Sequence, residues 1–129
     1  MPLIKRFEDI QAWQEARILT RQIYALSEKD TFAKDFGLKG QIQRAAVSAM
    51  ANIAEGFDCD SHIEFARFLG IARRSVVEVQ SLLYIAFDAK YITQDVLDIH
   101  YAQAAKTKAL IGGLKHSLTK SSKPKKHDP

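Results

Sequence analysis

Residues 61–90 read SHIEFARFLGIARRSVVEVQSLLYIAFDAK, and their pattern is that of one long helix. It opens with Ser61 and Glu64, which fit a capping box, where two side chains satisfy free backbone N–H groups at a helix start. Apolar residues then recur at the three- and four-residue steps of one helix face: Phe65, Phe68, Leu69, Ala72, Val76, Val79, Leu83, Ala86 and Phe87. The pattern predicts one helix to about Lys90, roughly 45 Å long at about 1.5 Å per residue.

The preceding helix is predicted over residues 38–55, and it is apolar on almost every side. One face carries the residues that would enter a core: Leu38, Ile42, Ala45, Ala49 and Ile53. A helix that is apolar nearly all round is buried on more than one side, and another copy of the chain is the natural cover. The sequence therefore predicts an oligomer interface at the remaining apolar residues, Val47, Met50, Ala51 and Ala54. The alternative is an interface on the helix over residues 61–90, where Ile71, Leu82 and Ile85 lie off the main apolar stripe. Gly56 is predicted to end this helix.

Two further helices are predicted on either side of this pair. The first covers about residues 8–26, and residues 27–36 form a loop held to the core by Phe32 and Phe36. The last runs from a Thr93 cap to about residue 120, with a seven-residue apolar repeat at Leu97, Ala104, Ile111 and Leu118. Four helices with short connections predict an all-α fold, an antiparallel up-down-up-down four-helix bundle over residues 6–120. Residues 121–129, rich in Lys, Ser and Pro, are predicted to be a disordered basic tail.

The positive charge of the chain is concentrated at one end. The 129 residues carry a net charge of +4, and residues 115–129 alone hold five lysines and one acid. The body is therefore neutral, and the basic pI describes the tail more than the bundle. No apolar run approaches the ~18 residues that span a membrane, and no signal-peptide core follows the N-terminus. With a single cysteine, these features predict a cytoplasmic protein without a membrane partner.

Arginines on three helices form the candidate nucleic-acid interface. If the helix over residues 61–90 folds back antiparallel to the helix over residues 38–55, Arg44 lies opposite Arg73. The full set of candidate residues is Arg17, Arg21, Arg44, Arg67, Arg73 and Arg74. Repeated around a ring, such a cluster would bind the phosphates of RNA or DNA. The alternative is a salt-bridged surface in which Glu15, Glu64 and Glu78 neutralise these arginines.

Two polar residues, Asn52 and Glu55, interrupt the apolar central helix and are predicted to be structural. A carboxylate at a helix C-terminus is opposed by the helix dipole, so Glu55 is expected to have a basic partner. The same antiparallel alignment of the two helices places Glu55 within reach of Arg67, which is therefore the predicted partner.

The sequence offers no basis for an enzyme. The segment Asp58-Cys59-Asp60-Ser61-His62 collects metal-ligating residue types, but a structural zinc site needs four ligands and no second pair follows. No hydrolase, metalloprotease or phosphate-loop motif is present. We therefore predict no catalytic residue, no metal and no cofactor.

Two stretches of the chain resemble a known family. Residues 7–16, FEDIQAWQEA, are similar to its opening F-x-D-L-x-x-W-x-x-A, and residues 36–57, FGLKGQIQRAAVSAMANIAEGF, to its F-G-L-x-x-Q-x-R-R-A-A-V-S-I-P-x-N-I-A-E-G-F. The family is the four helix bundle protein group, also called the 23S rRNA intervening-sequence protein or S23 family. Here Ala49-Met50 replaces the usual Ile-Pro, and Gln43 replaces the first Arg of the pair.

The resemblance implies a four-helix bundle that assembles into a homopentamer. Some members are encoded within intervening sequences of ribosomal RNA genes. A relative, the accessory protein of diversity-generating retroelements, is a basic pentameric barrel that binds nucleic acid and a reverse transcriptase. The implied partners are other copies of the chain, RNA or DNA, and a protein encoded nearby. Two hypotheses remain open: a non-enzymatic oligomer that binds RNA or DNA, and a structural or protein-interaction adaptor bundle that binds no nucleic acid.

Overall fold

The computed structural model describes residues 4–122, with only the backbone for residues 121 and 122, and the regular elements in this range are helices. A 3₁₀ turn at Phe7–Asp9 precedes α1. The helices are α1 Gln11–Ser27, α2 Asp30–Lys34, α3 Phe36–Phe57, α4 His62–Asp88 and α5 Gln94–Ser122. Four of them are long, whereas α2 is a single short turn within the connection from α1 to α3.

The four long helices form one bundle. The most extensive contacts join α3 to α4 and α4 to α5, and α1 closes the bundle by packing against both α3 and α5. Short connections make consecutive long helices antiparallel. The prediction of an all-α, antiparallel up-down-up-down four-helix bundle is confirmed.

The core consists of the apolar stripes that the sequence predicts. Fully buried side chains come from every long helix and include Leu19, Ile23, Ile42, Ile53, Leu69, Val76, Val79, Leu83 and Ile111. Burying each such side chain contributes about 1.5–3 kcal/mol relative to exposure, so this shared core holds the four helices together. None of the helices within residues 4–122 has the length and apolar character needed to cross a membrane.

Side-chain caps begin α4 and α5 where the sequence places them. The Ser61 hydroxyl accepts a hydrogen bond from the Glu64 backbone N–H at 3.1 Å, and the Thr93 hydroxyl accepts one from Val96 at 3.3 Å. Only the serine half of the predicted capping box is formed, because the Glu64 carboxylate binds Arg67 instead. At the other end of the chain, α5 continues to Ser122, two residues past its predicted end. Residues 123–129 of the predicted tail lie outside the described residues.

The predicted loop over residues 27–36 contains α2 and is held by one phenylalanine. Phe32 is fully buried and stacks on Tyr91, with 5.4 Å between ring centroids. Phe36, by contrast, is 78% exposed, so its predicted anchoring role is wrong. Phe36 is the first residue of α3 and lies on the outer side of that turn, whereas Leu38 faces the core.

The residue before Phe36 ties the α2–α3 corner to the far end of α4. One carboxylate oxygen of Asp35 accepts the Leu38 backbone N–H at 3.1 Å and caps α3, and the other accepts the Tyr91 hydroxyl at 2.9 Å. Hydrogen bonds to the charged form, from Leu38 first and Tyr91 second, lower the pKa of Asp35. The same bond raises the pKa of Tyr91, because its hydroxyl proton is held by the carboxylate.

The cap predicts a pH dependence of stability in acid. Because the Asp35 pKa is lower in the folded chain than in the unfolded chain, its contribution is present above the ordinary aspartate pKa of about 4. The contribution is lost as the pH falls through the lowered value. Asp35→Asn removes this titration, so the gap in melting temperature between wild type and variant should shrink as the pH falls from 6 to 2.5. A gap that stays constant over this range would contradict the assignment.

Gly56 has a different role from the predicted one. The helix does not end there but runs to Phe57. A Cβ atom built on Gly56 would lie 2.7 Å from the Phe68 Cβ and 2.9 Å from the Phe65 Cδ1. The glycine therefore lets α3 and α4 approach at the start of α4, where a side chain would force them apart.

Candidate functional site

The six candidate arginines are all exposed, but they do not form one cluster. On α1, the Arg17 guanidinium lies over the Trp13 ring, 5.8 Å from its centroid, and Arg21 lies one turn further along. The other four divide between the outer side of α3 and two different sides of α4. These arginines differ in whether a carboxylate already pairs with the guanidinium.

Arg67 is already neutralised. Its Nη2 lies 3.1 Å from Oε2 of Glu64, its Nε also donates to that carboxylate, and the guanidinium stacks over the Phe68 ring at 4.8 Å. Hydrogen bonds with Glu64 raise the Arg67 pKa.

The predicted Glu55–Arg67 pair is therefore wrong. Within residues 4–120, no ion pair joins Glu55 to an arginine or lysine, and its side chain is exposed to water, which removes the reason to expect a partner.

Arg73 faces α5, so the predicted opposition of Arg44 and Arg73 is also wrong. Its guanidinium lies across Gly112, with Nε 3.8 Å from the position a Cβ would take there. It lines a surface pocket of about 420 Å³ whose other walls are Gly112, Lys115, His116 and Thr119. The pocket is open to solvent and lies in the groove between α4 and α5.

Arg74 lies beside this pocket. The position a Cβ would take on Gly70 has the Lys115 Cε at 3.4 Å and the Arg74 Nη1 at 3.8 Å, so both side chains lie close to the same point. We call Arg73, Arg74, Lys115 and His116 the basic groove. Among the ion pairs formed within residues 4–120, none involves Arg73, Arg74 or Lys115.

The charge around the basic groove is one-sided. Between Glu64 and Glu78, α4 has no acidic residue, and α5 has none from residue 99 to residue 120. The described part of the chain therefore has a positive strip along α4 and α5, although residues 1–114 are neutral in total. Such a strip attracts anions.

On the outer side of α3, four apolar residues lie next to one another, with Arg44 one turn before the first of them. Val47, Met50, Ala51 and Ala54 lie on adjoining turns, and we call them the α3 outer face. Val47 is 41% exposed and the other three are half-buried. Arg44 lies one turn before Val47 and folds back along its own helix, with Nη1 3.0 Å from the position a Cβ would take on Gly40. A partner on the α3 outer face would therefore also approach Arg44.

A second apolar surface lies on α4, on the side towards α5. Val77 and Tyr84 are two turns apart, and they are 43% and 51% exposed. Tyr84 meets Tyr101 of α5 edge to face, with 5.8 Å between ring centroids. We call Val77, Tyr84 and Tyr101 the α4 outer face. It lies across the bundle from α1, so the two apolar faces are on different sides of the molecule.

Comparison with known families places this architecture. The model of the family described as 23S rRNA-intervening sequence protein matches residues 8–113. The chain belongs to this family. A similar fold occurs in a protein of unknown function from the S23 ribosomal protein family of Bacteroides thetaiotaomicron VPI-5482, with a TM-score of 0.74 and 21% identity over 81% of this chain and 97% of that one. At that identity the likeness concerns the fold. No match is found among curated proteins.

Asn52 belongs to a hydrogen-bonded network between α3 and α4. Its side-chain nitrogen donates to the Ser48 carbonyl at 2.8 Å and to the Ser48 hydroxyl at 3.1 Å. The hydroxyls of Ser48 and Ser75 are in turn 2.8 Å apart. The polar groups at this helix contact therefore satisfy one another.

The Cys59 region does not assemble a metal site. Within the described part of the chain, no three His, Cys, Asp or Glu side chains come together as metal ligands. The Cys59 thiol donates weakly to the Glu55 carbonyl at 3.5 Å. The segment serves as the connection that carries the Ser61 cap of α4.

The sequence pattern of arginines did not indicate Lys115 or His116. It offered α4 as an alternative interface, but through Ile71, Leu82 and Ile85, of which Leu82 is buried. A signal for the basic residues was present, because α5 carries lysines but no acid over its last two-thirds. The signal for the α4 outer face was the seven-residue spacing of Val77 and Tyr84, off the main apolar stripe.

Proposed function

We propose that this protein is a non-enzymatic module that assembles with copies of itself and binds RNA or DNA through its basic groove. Self-assembly rests on one observation, the apolar α3 outer face on a helix whose opposite side is already in the core. Contiguous apolar surface of this kind on a soluble protein marks a contact site. The small side chains of Ala51 and Ala54 would let a second helix approach closely.

The arrangement of the two apolar faces favours a ring over a two-fold dimer. A heterologous contact joins two different patches and generates a closed ring when the rotation closes. The α3 outer face of one copy and the α4 outer face of the next supply two such patches. Five copies is the number that the family resemblance implies.

Light scattering during size-exclusion chromatography tests self-assembly directly. The chain has a mass of 14.5 kDa, so the proposal requires a single species at a multiple of this mass at micromolar concentration. A stable 14.5 kDa monomer under these conditions would refute it.

Nucleic-acid binding is the second part of the proposal and rests on the basic groove. Three cations there lack a carboxylate partner among residues 4–120, and the surrounding stretches of α4 and α5 are free of acid. The family description connects such proteins with intervening sequences of ribosomal RNA. Phosphate contacts by unpaired arginines and lysines supply affinity without base specificity.

The two arginines Arg74 and Arg67 give a matched test. Both are exposed on α4, but Arg67 is neutralised by Glu64 and Arg74 is not. Arg74→Gln is expected to weaken binding of a labelled single strand about fivefold and to reduce the slope of log affinity against log salt by about one. Arg67→Gln should change both quantities much less.

Equal effects of the two substitutions on affinity and on the salt dependence would show that the basic groove is not the binding site. No salt-dependent binding of RNA or DNA by the wild-type protein would instead favour the adaptor hypothesis, in which the assembled bundle binds only a protein. The cytoplasmic location stays a prediction.

A further inference from the structure

We propose that the pocket between α4 and α5 is a binding site for a single phosphate group. The pocket is walled by Arg73, Gly112, Lys115, His116 and Thr119 and has a volume of about 420 Å³. This inference is more specific than the nucleic-acid binding proposed above. It also stands apart from it, because its first test uses inorganic phosphate alone.

The donors in this pocket suit a tetrahedral oxyanion. The Arg73 guanidinium offers a planar fork of N–H groups that binds two phosphate oxygens, and the Lys115 ammonium adds a second positive charge. The His116 imidazole carries at least one N–H in any protonation state. The Thr119 hydroxyl already donates to the Lys115 carbonyl at 2.9 Å, so it forms a wall and is not counted as a donor.

The charge of the pocket is uncompensated. No carboxylate is among the residues that line it, and within residues 4–120 neither Arg73 nor Lys115 forms an ion pair. A surface whose function is only to be soluble usually places opposite charges among one another. Here two cations and an imidazole converge on one hollow without an acid, which is the arrangement that an anion would complete.

Glycines on both helices leave room for the two basic side chains of this pocket. Lys115 lies over Gly70 of α4, and Arg73 lies over Gly112 of α5, so each basic side chain crosses the groove to the opposite helix. Gly112 and Gly113 are adjacent but differ in what they face. Gly112 contacts Arg73 and lines the pocket, whereas a Cβ on Gly113 would have nothing within 4 Å.

This difference provides a steric test that changes no charge. Gly112→Leu should fill the pocket in front of Arg73, whereas Gly113→Leu adds the same side chain outside it. Leucine favours a helix over glycine at both positions, so neither variant should lose helical structure. Two further variants, Arg73→Gln and Lys115→Gln, remove one charge each, and Arg21→Gln removes one from α1 as the control.

The first measurement is the line width of the ³¹P signal of inorganic phosphate in the presence of the protein, at constant ionic strength set with NaCl. The wild-type protein should broaden the signal saturably. Arg73→Gln, Lys115→Gln and Gly112→Leu should each weaken binding about tenfold or more. Gly113→Leu and Arg21→Gln should stay within about twofold of wild type. Circular dichroism of each variant establishes that the helices are intact.

Two results would overturn the proposal. One is a ³¹P signal that the wild-type protein does not broaden, or that wild type, Arg73→Gln and Gly112→Leu broaden equally. The other is an equal loss in Gly113→Leu or Arg21→Gln, which would reduce the effect to general charge or to a change in the helix.

The source of the phosphate group is distinguished by a second measurement, fluorescence anisotropy of a labelled single strand. Loss of strand binding in Gly112→Leu, together with competition by inorganic phosphate, would assign the pocket to the phosphates of a strand. Strand binding that is unchanged in Gly112→Leu, with loss of inorganic phosphate binding, would assign it to small phosphate compounds. Both results retain the pocket as a phosphate site, and the second would place the proposed nucleic-acid binding elsewhere.

Discussion

Replacement of Val47 by glutamate is expected to dissociate the proposed assembly into 14.5 kDa monomers. In the proposed ring, Val47 is covered by the next copy, so the new carboxylate would lose its water. The nearby cation, Arg44, folds back along α3 over Gly40, on the side away from residue 47. An unpaired buried charge costs several kcal/mol at each interface, and a ring repeats this cost at every contact. Met50→Glu should act in the same way. Helical content should be retained, because Val47 is 41% exposed in the single chain and glutamate is a good helix former.

Val77→Glu extends the test to the α4 outer face. If the contact joins two different faces, this substitution should also give monomers. An equal mixture of the Val47→Glu and Val77→Glu proteins should then form dimers, because each protein retains the face that the other has lost. The mixed dimer has no further pair of intact faces, so growth should stop there. Light scattering of each protein alone and of the mixture measures all three states.

Ile99→Glu is the control for this series. Ile99 is 61% exposed on α5 and belongs to neither apolar face, so its substitution should leave the assembly intact. If Val47→Glu and Met50→Glu leave the mass unchanged, the α3 outer face is not the interface. If only Val77→Glu then dissociates the assembly, the interface lies on α4.

Gly56→Ala is expected to lower the free energy of unfolding by about 1–3 kcal/mol. The added Cβ would meet the Phe68 Cβ at 2.7 Å and the Phe65 Cδ1 at 2.9 Å, so α3 and α4 must shift apart. Alanine favours a helix over glycine by up to about 1 kcal/mol, but Gly56 is the last residue but one of α3, where this gain is smaller. Urea unfolding followed by circular dichroism measures the difference.

Gly113→Ala is the matched substitution with the opposite expected sign. Gly113 is exposed within α5, and a Cβ there would have open space around it. The variant should gain up to about 1 kcal/mol from helix propensity alone. The proteins are compared at one concentration, because assembly adds to apparent stability. Equal changes for the two glycines would show that Gly56 does not serve as a close helix contact.

The long helices follow from local chemistry, which is why the number and order of these four could be predicted. Apolar residues at three- and four-residue steps define a stripe whatever lies opposite, and Ser61 and Thr93 cap helices through backbone groups three residues away. The short helix α2 was missed because five residues are too few to display a helical period. Phe36 was misplaced because apolar character alone does not tell which side of a helix's first turn faces the core.

The grouping of charged side chains could not be predicted, because it depends on which helix lies beside which. Arg73 and Arg74 are adjacent in the sequence, but neighbouring residues on a helix point about 100° apart. Only the position of α5 directs Arg73 into a pocket with Lys115. An antiparallel alignment of α3 and α4 also placed Glu55 near Arg67. Arg67 instead binds Glu64, which lies one turn before it on α4.

Periodicity and contacts within one or two turns specify the all-helical class, the four long helices, most of their ends and the residues of the core, so these features could be predicted before the helices were packed together. The packing of those helices decided the rest. It made Gly56 a close contact between helices, it separated Arg44 from Arg73, and it brought Lys115 of α5 beside Gly70 of α4. These features join residues that are distant along the chain, so they arise only when the shared core fixes the order and level of the helices.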